Sequence, residues 1–386
     1  MRIAFYAPLK PPTHPVPSGD RRMARLLMAA LARANHRVEL ASRFRCRDGA
    51  GDPARQQALA DLGRHMASRL VRRYQARAES ERPDLWFTYH LYYKAPDWLG
   101  PAVADALDIP YVVAEASHAN KRATGPFAIG HQGTAAAIAR ADAIISLNPN
   151  DMAGVSGVAR ANAILVMLKP FLDGADFAAA ANRREELRTD LAQRFGLDVA
   201  APWLLTVAMM RDGDKLASYQ VLGSALGALR DRPWQLLVAG DGPARPAVEA
   251  AFAGLGRGRV HYAGARLPEE LPSIYAASDL LVWPAINEAY GMTFLEAQAA
   301  GVPVVAGASG GVPTIVAGNR TGLLTAPGDA AGFATAVAAL LDDPGRRRRM
   351  GDTAKELIAQ DHDIGAAAQI LDRTILDAAN RRRRLQ

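Results

Sequence analysis

The sequence has almost no cysteine and no long hydrophobic run. Cys46 is the only cysteine among 386 residues, so no internal disulfide can form and a cytoplasmic protein is expected. No apolar run reaches the length of a membrane span. The N-terminal apolar stretch is short and ends at Pro8, which predicts a first β-strand rather than a signal peptide.

Several motifs with a known chemistry are also absent. The chain has no Gly-x-x-x-x-Gly-Lys-Ser/Thr loop and no Gly-x-Gly-x-x-Gly after its first strand, which argues against nucleotide hydrolysis and nicotinamide chemistry. The eight histidines lack metal-ligand spacing. Asp212-Gly-Asp214 is interpreted as a turn. We therefore expect a protein that requires neither a metal nor a cofactor.

The composition is that of a globular protein, with 49% hydrophobic and 22% charged residues, and the length favours two domains. Short apolar runs alternate with amphipathic segments, which predicts an α/β fold with parallel sheets. Twelve strands are too many for one sheet, so we expect two Rossmann-like domains, 1–170 and 171–363, with a seam near 169–176. The predicted strands cover residues 3–7, 37–41, 84–89, 111–116, 143–147, 164–168, 203–207, 235–239, 260–262, 280–283, 303–306 and 322–325.

The formal net charge is +7, and part of it lies in an arginine-rich segment, residues 54–82. Its pattern predicts a helix with one apolar stripe of Leu59, Leu62, Met66, Leu70 and Tyr74. This helix packs on the core with a solvated basic face, docks on an anionic membrane surface or receives an anionic acceptor. Nucleic acid is not expected as a partner, because no aromatic platform or groove-reading motif accompanies the charge.

Two glutamates flank a predicted strand-to-helix turn in the C-terminal half. Glu288 follows the apolar run 279–285, and Glu296 lies about one turn into the helix predicted over 292–300. Ligands of open parallel sheets bind at the carboxyl ends of the strands, so both carboxylates are candidates for ligand contact. Gly291 between them lets a backbone approach a phosphate closely.

With these residues in view, the chain resembles the retaining glycosyltransferases of family 4, which have the GT-B fold of two Rossmann-like domains facing across a cleft. The resemblance is carried by the Gly-Asp-Gly-Pro turn at 240–243, the segment from Asp279 to Val305 with its Glu-x7-Glu motif, and Gly-Gly-Val-Pro at 310–313. The N-terminal half matches more loosely, through Ser18-Gly19-Asp20. We expect the last helix, about 364–386, to rejoin the first domain.

The resemblance implies a donor site for a nucleotide-diphosphate sugar in the C-terminal domain. Glu288 would hold the donor sugar as a catalytic residue, and Glu296 would accept hydrogen bonds from the ribose hydroxyls. The N–H groups of Gly291, Met292 and Thr293 would face the diphosphate. Two cations, Arg211 and Lys215, would neutralise that diphosphate. Their loop departs from the family pattern, because Met209 occupies the usual position of the arginine.

The N-terminal half would supply the remaining candidates by the same resemblance. His118 is the catalytic candidate, because it ends the fourth strand at the place of a family histidine that contacts the donor sugar or the reacting groups. Gly19 would bring backbone N–H groups to the reaction centre. Asp20 either serves the acceptor side or is a plain N-cap. His90, at the end of the third strand, is a candidate for lining the acceptor cleft.

The expected activity is metal-independent, retaining transfer of a hexose-type sugar from a nucleotide-diphosphate sugar, UDP favoured, to an acceptor hydroxyl. A lipid-linked or envelope glycan and a small molecule are both open as acceptors. The expected location is cytoplasmic, with peripheral contact at the inner membrane face through the 54–82 helix as an option. Two alternatives remain open: a sugar-nucleotide epimerase or hydrolase on the same fold, and a non-catalytic nucleotide-sugar-binding module.

Overall fold

A computed structural model describes residues 1–16, 18–288 and 291–384. It divides the chain into two compact units. Unit 1 contains Met1–Lys169 together with the last helix, which begins at Ile364, and unit 2 contains Pro170–Asp363. The chain therefore enters unit 2 and leaves it through single connections at 169–170 and 363–364.

Unit 1 is built on a parallel six-stranded sheet, counted over its described residues, with the order β2-β1-β3-β4-β5-β6. Its strands are β1 Arg2–Tyr6, β2 Arg37–Leu40, β3 Leu85–Leu91, β4 Tyr111–Ala116, β5 Ala143–Ser146 and β6 Ile164–Met167. Its helices are α1 Gly19–Arg33, α2 Pro53–Gln75, α3 Gly100–Ala106, α4 Ala128–Arg140, α5 Pro149–Ser156 and α14 Ile364–Arg383.

Unit 2 has a second parallel sheet of six strands within the described ranges, in the order β12-β11-β10-β7-β8-β9. Its strands are β7 Trp203–Val207, β8 Gln235–Ala239, β9 Val260–Gly264, β10 Leu280–Trp283, β11 Val304–Gly307 and β12 Gly322–Thr325. Its helices are α6 Ala175–Ala181, α7 Arg184–Phe195, α8 Asp214–Gly227, α9 Arg245–Phe252, α10 Leu271–Ala277, α11 Met292–Ala299, α12 Ala330–Leu341 and α13 Pro344–Asp361.

The central strands are apolar along their whole length because helices cover both faces of each sheet. All four residues of β10 are fully buried, and so are the first five residues of β3. All twelve predicted strands are present, with ends that differ by no more than two residues. The two parallel sheets with their covering helices confirm the predicted α/β class with two Rossmann-like domains.

The last helix, α14, belongs to unit 1 and packs on α1. Its buried face includes Ile364, Leu371 and Ile375. His36 Nε2 lies 2.9 Å from Asp372 Oδ1 on its side. The end of the chain therefore completes the covering of the N-terminal sheet.

The arginine-rich helix α2 packs on the core, and its buried stripe contains part of the predicted one. Leu70 and Tyr74 are buried, Leu59 and Met66 are half-buried, and Leu62 is 48% exposed, so the assignment of Leu62 was wrong. The buried stripe also runs through Gly63, where an added Cβ would clash with Trp98. Within the described part of the chain, no helix is long and apolar enough to cross a membrane.

Candidate active site

The loops after β7 and β8 in unit 2 meet because of two glycines in the Gly-Asp-Gly turn. Met210 N–H donates to Asp241 O at 3.0 Å, and Ala244 N–H donates to Met210 O at 3.0 Å. A Cβ added at Gly242 would clash with the carbonyl oxygen of Met210, and φ at this glycine is +153°. Only glycine allows this approach, so the turn holds the β7–α8 loop at the carboxyl edge of the sheet.

Glu288 lies on the loop after β10 and forms an ion pair with Lys215 from the first turn of α8. Trp283 Nε1 lies 3.5 Å from Glu288 Oε2, and the Lys215 ammonium lies 5.4 Å from the centroid of the Trp283 ring. Asn287 Nδ2 donates to Asp214 Oδ1 at 3.0 Å, which ties the two loops together a second time. Residues from two strand ends therefore place one carboxylate and one ammonium in direct contact.

The backbone around Glu288 adopts conformations that L-amino acids rarely occupy. Ala285 and Asn287 have φ values of +57° and +49°, and Gly291 has a φ of +71°. Such conformations cost of the order of 1–3 kcal/mol each and cluster at functional sites. A Cβ added at Gly291 would clash with the ring of Phe294, so the loop enters α11 tightly against the helix.

Helix α11 begins at Met292 without a side-chain cap. Among the described residues, the N–H groups of Met292 and Thr293 have no hydrogen-bond acceptor, so this end keeps its positive potential. The Thr293 hydroxyl lies 2.6 Å from the hydroxyl of Tyr275, which anchors the first turn. Glu296 follows one turn later and is 2% exposed.

The two predicted phosphate cations differ in their surroundings. Lys215 is half-buried and contacts Glu288, whereas Arg211 is exposed on the loop and its side chain has no ion-pair partner in the described ranges. Met209 is half-buried and Met210 is fully buried. Lys215 therefore forms the ion pair with Glu288, and Arg211 takes no part in that ion pair.

The candidates of unit 1 meet at the carboxyl ends of β3 and β4. His90 Nδ1 lies 3.2 Å from Asp20 Oδ1 and 3.8 Å from Glu115 Oε1. His90 and Glu115 have φ values of +60° and +57°, which is a strained conformation at two adjacent strand ends. Glu115 Oε2 is buried without a hydrogen-bond partner among the described residues.

The charges around His90 and Asp20 shift the pKa values of both side chains. Burial alone would lower the pKa of His90, but the carboxylates of Glu115, Asp20 and Asp151 outweigh burial and raise that pKa above its ordinary value. Burial would raise the pKa of Asp20, and the nearby His90 imidazole together with Lys10 lowers it instead. The neighbouring carboxylates therefore favour the imidazolium form of His90 more than in a free histidine.

Asp20 is not the N-cap of α1, which was one of its two predicted roles. Ser18 is the N-cap, and its hydroxyl accepts from Arg21 N–H at 3.2 Å. This leaves the Asp20 carboxylate to face His90. Gly19 opens the helix, and a Cβ added there would meet no atom within 4 Å.

His118 follows β4 and pairs with a histidine that the sequence did not indicate. Its ring centroid lies 4.6 Å from that of His131 on α4. Burial and the nearby His131 lower the pKa of His118, which favours a neutral imidazole. His131 Nε2 is buried with no hydrogen-bond partner in the described residues. The pair arises from tertiary packing, and no local pattern connects the two positions.

The described residues contain no group of three or more His, Cys, Asp or Glu side chains that could hold a metal ion. The Asp212-Gly213-Asp214 segment forms a turn at the start of α8, with φ of +78° at Gly213. The Asp214 carboxylate accepts a hydrogen bond from Asn287 Nδ2, which gives it a role in holding two loops together.

Residues 201–343 match the family model described as "Glycosyl transferases group 1". The chain is 35% identical over 188 residues to the alpha-D-kanosaminyltransferase of Streptomyces kanamyceticus, which covers 48% of each chain. It is 44% identical over 119 residues to the D-inositol 3-phosphate glycosyltransferase of Corynebacterium aurimucosum, covering 31% of this chain and 28% of that protein. The matched segments thus span less than half of each of these relatives.

Among solved structures, Anabaena HepE in complex with UDP superposes with a TM-score of 0.71 at 17% identity, covering 98% of this chain and 100% of the other. This similarity supports the fold. The family match covers most of unit 2, including both glutamates and Lys215. Together these findings confirm the resemblance to group 1 glycosyltransferases with the GT-B fold.

Proposed function

We propose that this chain, whose unit 2 is that of a group 1 glycosyltransferase, moves a hexose-type sugar from a nucleotide-diphosphate sugar to an acceptor hydroxyl with retention of anomeric configuration. The observation that carries the proposal is the Lys215–Glu288 pair beside the uncapped start of α11. A carboxylate for sugar hydroxyls and a cation for phosphate stand together at the carboxyl end of β10, where ligands of parallel sheets bind.

The diphosphate would lie at the start of α11. The N–H groups of Met292 and Thr293, which have no acceptor among the described residues, belong to a helix end whose dipole favours anions. Gly291 lets the phosphate oxygens approach the backbone. Lys215, which is paired with Glu288, would donate hydrogen bonds to the phosphate, and the exposed Arg211 would add a second cation.

Glu296 would accept hydrogen bonds from the two ribose hydroxyls, since a carboxylate accepts at both oxygens. UDP is the favoured nucleotide, and the name of the Anabaena HepE structure supports it because that protein is described in complex with UDP. The residues themselves do not discriminate between bases.

The reaction would proceed at the front face of the donor sugar without a protein nucleophile or a metal. The bond between the anomeric carbon and the phosphate oxygen breaks, and the acceptor oxygen bonds to the same face of that carbon. The acceptor proton passes to the leaving phosphate oxygen. Lys215 and the start of α11 would stabilise the charge that builds on the diphosphate, which is the largest expected contribution.

Unit 1 would supply the acceptor side. The Asp20 carboxylate, held by His90, would accept a hydrogen bond from the acceptor hydroxyl, and the open space at Gly19 leaves room for the ligand. His118, kept neutral, can both donate and accept hydrogen bonds to sugar hydroxyls. Names of two relatives indicate that those proteins act on sugars or inositol phosphate, so polyol acceptors are the first class to test.

A peripheral membrane contact is a further part of the proposal. Arg64, Arg69 and Arg72 are exposed on α2, and Leu62 lies exposed on the same helix. A basic face with an exposed apolar residue suits an anionic lipid surface.

The first test is a binding panel of UDP, GDP, ADP and TDP sugars followed by incubation with each bound donor alone. We expect one nucleotide to raise the melting temperature clearly and its sugar donor to remain intact until an acceptor is added. Rapid consumption of the donor without acceptor would support an epimerase or hydrolase instead. Binding without turnover across an acceptor panel would support a binding module.

A further inference from the structure

A pair of imidazole rings lies on the carboxyl side of the N-terminal sheet, formed by His118 after β4 and His131 in α4. The ring centroids are 4.6 Å apart and the ring planes are inclined by 38°, so the rings stack with a tilt. Both side chains are half-buried, and His131 Nε2 is buried with no hydrogen-bond partner among the described residues. His131 therefore contacts His118 through its ring rather than through a hydrogen bond.

Two glycines next to His131 hold α4 in close contact with the segment that follows β3. A Cβ added at Gly130 would clash with the backbone oxygen of Tyr93, and a Cβ added at Gly133 would clash with the ring of Trp98. A close-packed interior transmits a displacement rather than absorbing it. The packing of α4 therefore fixes the position of the His131 ring.

His118 is held from a second side by α5. A Cβ added at Gly154 of α5 would clash with the backbone oxygen of His118, so the segment after β4 lies directly against that helix. Glycine at position 154 permits this approach. Helix α4 thus supplies a ring contact and α5 a backbone contact, and together they restrict the orientation of His118.

The charges near this pair act mostly on other groups. Burial and the nearby His131 lower the pKa of His118. The carboxylates on the neighbouring elements, Glu115 on β4 and Asp151 on α5, raise the pKa of His90 instead. Among the described titratable side chains of α4, His131 is therefore the one that affects His118.

The short helical turn after His118, Asn120–Arg122, carries two cations. Lys121 is exposed, and the Arg122 guanidinium lies 5.0 Å from the centroid of the Tyr93 ring. These cations supply no acceptor for an imidazolium at position 118. They leave the ring contact with His131 as the feature that distinguishes His118 from an ordinary half-buried histidine.

We propose that His131 is a positioning residue, which holds the His118 imidazole neutral and oriented for contact with the donor sugar or the reacting groups. A neutral imidazole donates a hydrogen bond at one nitrogen and accepts one at the other, whereas an imidazolium only donates. A second proton on the pair would place two positive charges on rings in contact. The assignment rests on the proposed function, because His118 acts on a sugar only if the chain transfers one. The contact between the rings does not rest on it.

The experiment compares two substitutions of His131 in the full-length protein. His131→Phe keeps a ring and removes both nitrogens, and His131→Gln keeps polarity and removes the ring. His118→Gln identifies the titration that belongs to His118, and His65→Gln, exposed on α2, is the control for loss of a histidine. Nuclear magnetic resonance follows the imidazole titrations. A transfer assay with the donor and acceptor that the panels identify gives kcat and KM across pH.

We expect the midpoint of the His118 titration to rise by at least about 0.5 pH units in His131→Phe, because a neighbouring positive charge is removed. The loss of transfer at low pH should move to higher pH in the same variant, since protonation of His118 removes its acceptor nitrogen. In His131→Gln, kcat at pH 8 should fall by about 10-fold or more while the KM for the donor stays within about twofold, because the His118 ring is no longer held in place. His65→Gln should match wild type in each quantity.

An unchanged His118 titration in folded His131→Phe would overturn the proposal, and so would wild-type kcat in folded His131→Gln. Melting temperatures show which variants fold, and if His131→Gln does not, the titration and the pH profile of His131→Phe decide. If wild type transfers no sugar from any donor, the proposed function fails and the positioning role fails with it, whereas the titration in His131→Phe still shows whether the rings are coupled. If wild type transfers sugar and both variants behave like it, the positioning role alone fails.

Discussion

At the scale of single residues, the donor site depends on a charge pair rather than on isolated side chains. Lys215 neutralises Glu288 before any ligand binds, so the glutamate is held in place by the cation that is predicted to bind phosphate. Glu288 and Lys215 were both predicted from the sequence because the family motif carries them. Their direct contact was not predictable, since it joins two loops 73 positions apart.

Lys215 and Arg211 are predicted to contribute unequally to diphosphate binding. Lys215→Gln should reduce the affinity for UDP by about 10-fold or more and leave the affinity for UMP nearly unchanged, because charge-assisted contacts to the second phosphate are lost. Arg211→Gln should have a smaller effect, because its side chain is exposed and its attraction is screened. Calorimetry with both nucleotides measures the ratio. A larger effect at Arg211 than at Lys215 would contradict the assignment.

The His90 group predicts a pH dependence of stability. The folded-state pKa of His90 is raised by Glu115 and Asp20 against the effect of burial, so protonation stabilises the folded state. This contribution is complete below the ordinary pKa of about 6.5 and is lost as the pH rises through the higher folded value. Wild type should exceed His90→Gln in unfolding free energy most at about pH 6 and less at pH 9. The exposed His65→Gln provides the control, and a difference that grows with pH would refute this prediction.

At the scale of elements, the candidate residues of each unit lie on loops at the carboxyl edge of that unit's own parallel sheet. The strands were predictable because their apolar runs are buried on both faces of each sheet. The order of the strands within each sheet is known only from the structure. The conformations of the loops were not predicted from the sequence. The positive φ values of Glu115 and Ala285 fall on residue types that give no signal for them, because surrounding contacts impose the strain.

Gly242→Ala should destabilise the protein by about 1–3 kcal/mol and weaken donor binding, because the added Cβ meets the backbone of Met210 and displaces the β7–α8 loop. Gly227→Ala at the end of α8 is the matched control. The nearest atom there is a Leu255 methyl at 3.9 Å, and alanine is the better helix former. Chemical denaturation measures both. Equal stability of the two variants would show that the turn is not close-packed.

At the scale of the whole molecule, donor and acceptor functions are assigned to separate units. The last helix returns to unit 1, and the family match of residues 201–343 lies entirely within unit 2. The motif-rich half was therefore interpreted from the sequence in more detail than the other half. The His118–His131 pair was missed, because its two members come together only through packing of separate elements.

This division predicts that binding and transfer can be separated by substitution. Asp20→Asn in unit 1 should leave the affinity for UDP within about twofold of wild type while transfer to an acceptor falls steeply. Glu296→Gln in unit 2 should reduce UDP affinity itself, since a neutral amide accepts at one oxygen only. Calorimetry and a transfer assay on the same preparations give both quantities. Loss of UDP binding in Asp20→Asn would contradict the division.

The most direct measurement of the central claim is the transfer rate of the Glu288→Ala variant with the donor that the binding panel identifies. Product formation is followed by mass spectrometry against wild type and the exposed Glu269→Ala control, with melting temperature as the check on folding. We predict a loss of at least about 100-fold in Glu288→Ala, because the sugar is no longer positioned for attack, and no loss in Glu269→Ala. Near-normal transfer by a folded Glu288→Ala protein would contradict the account.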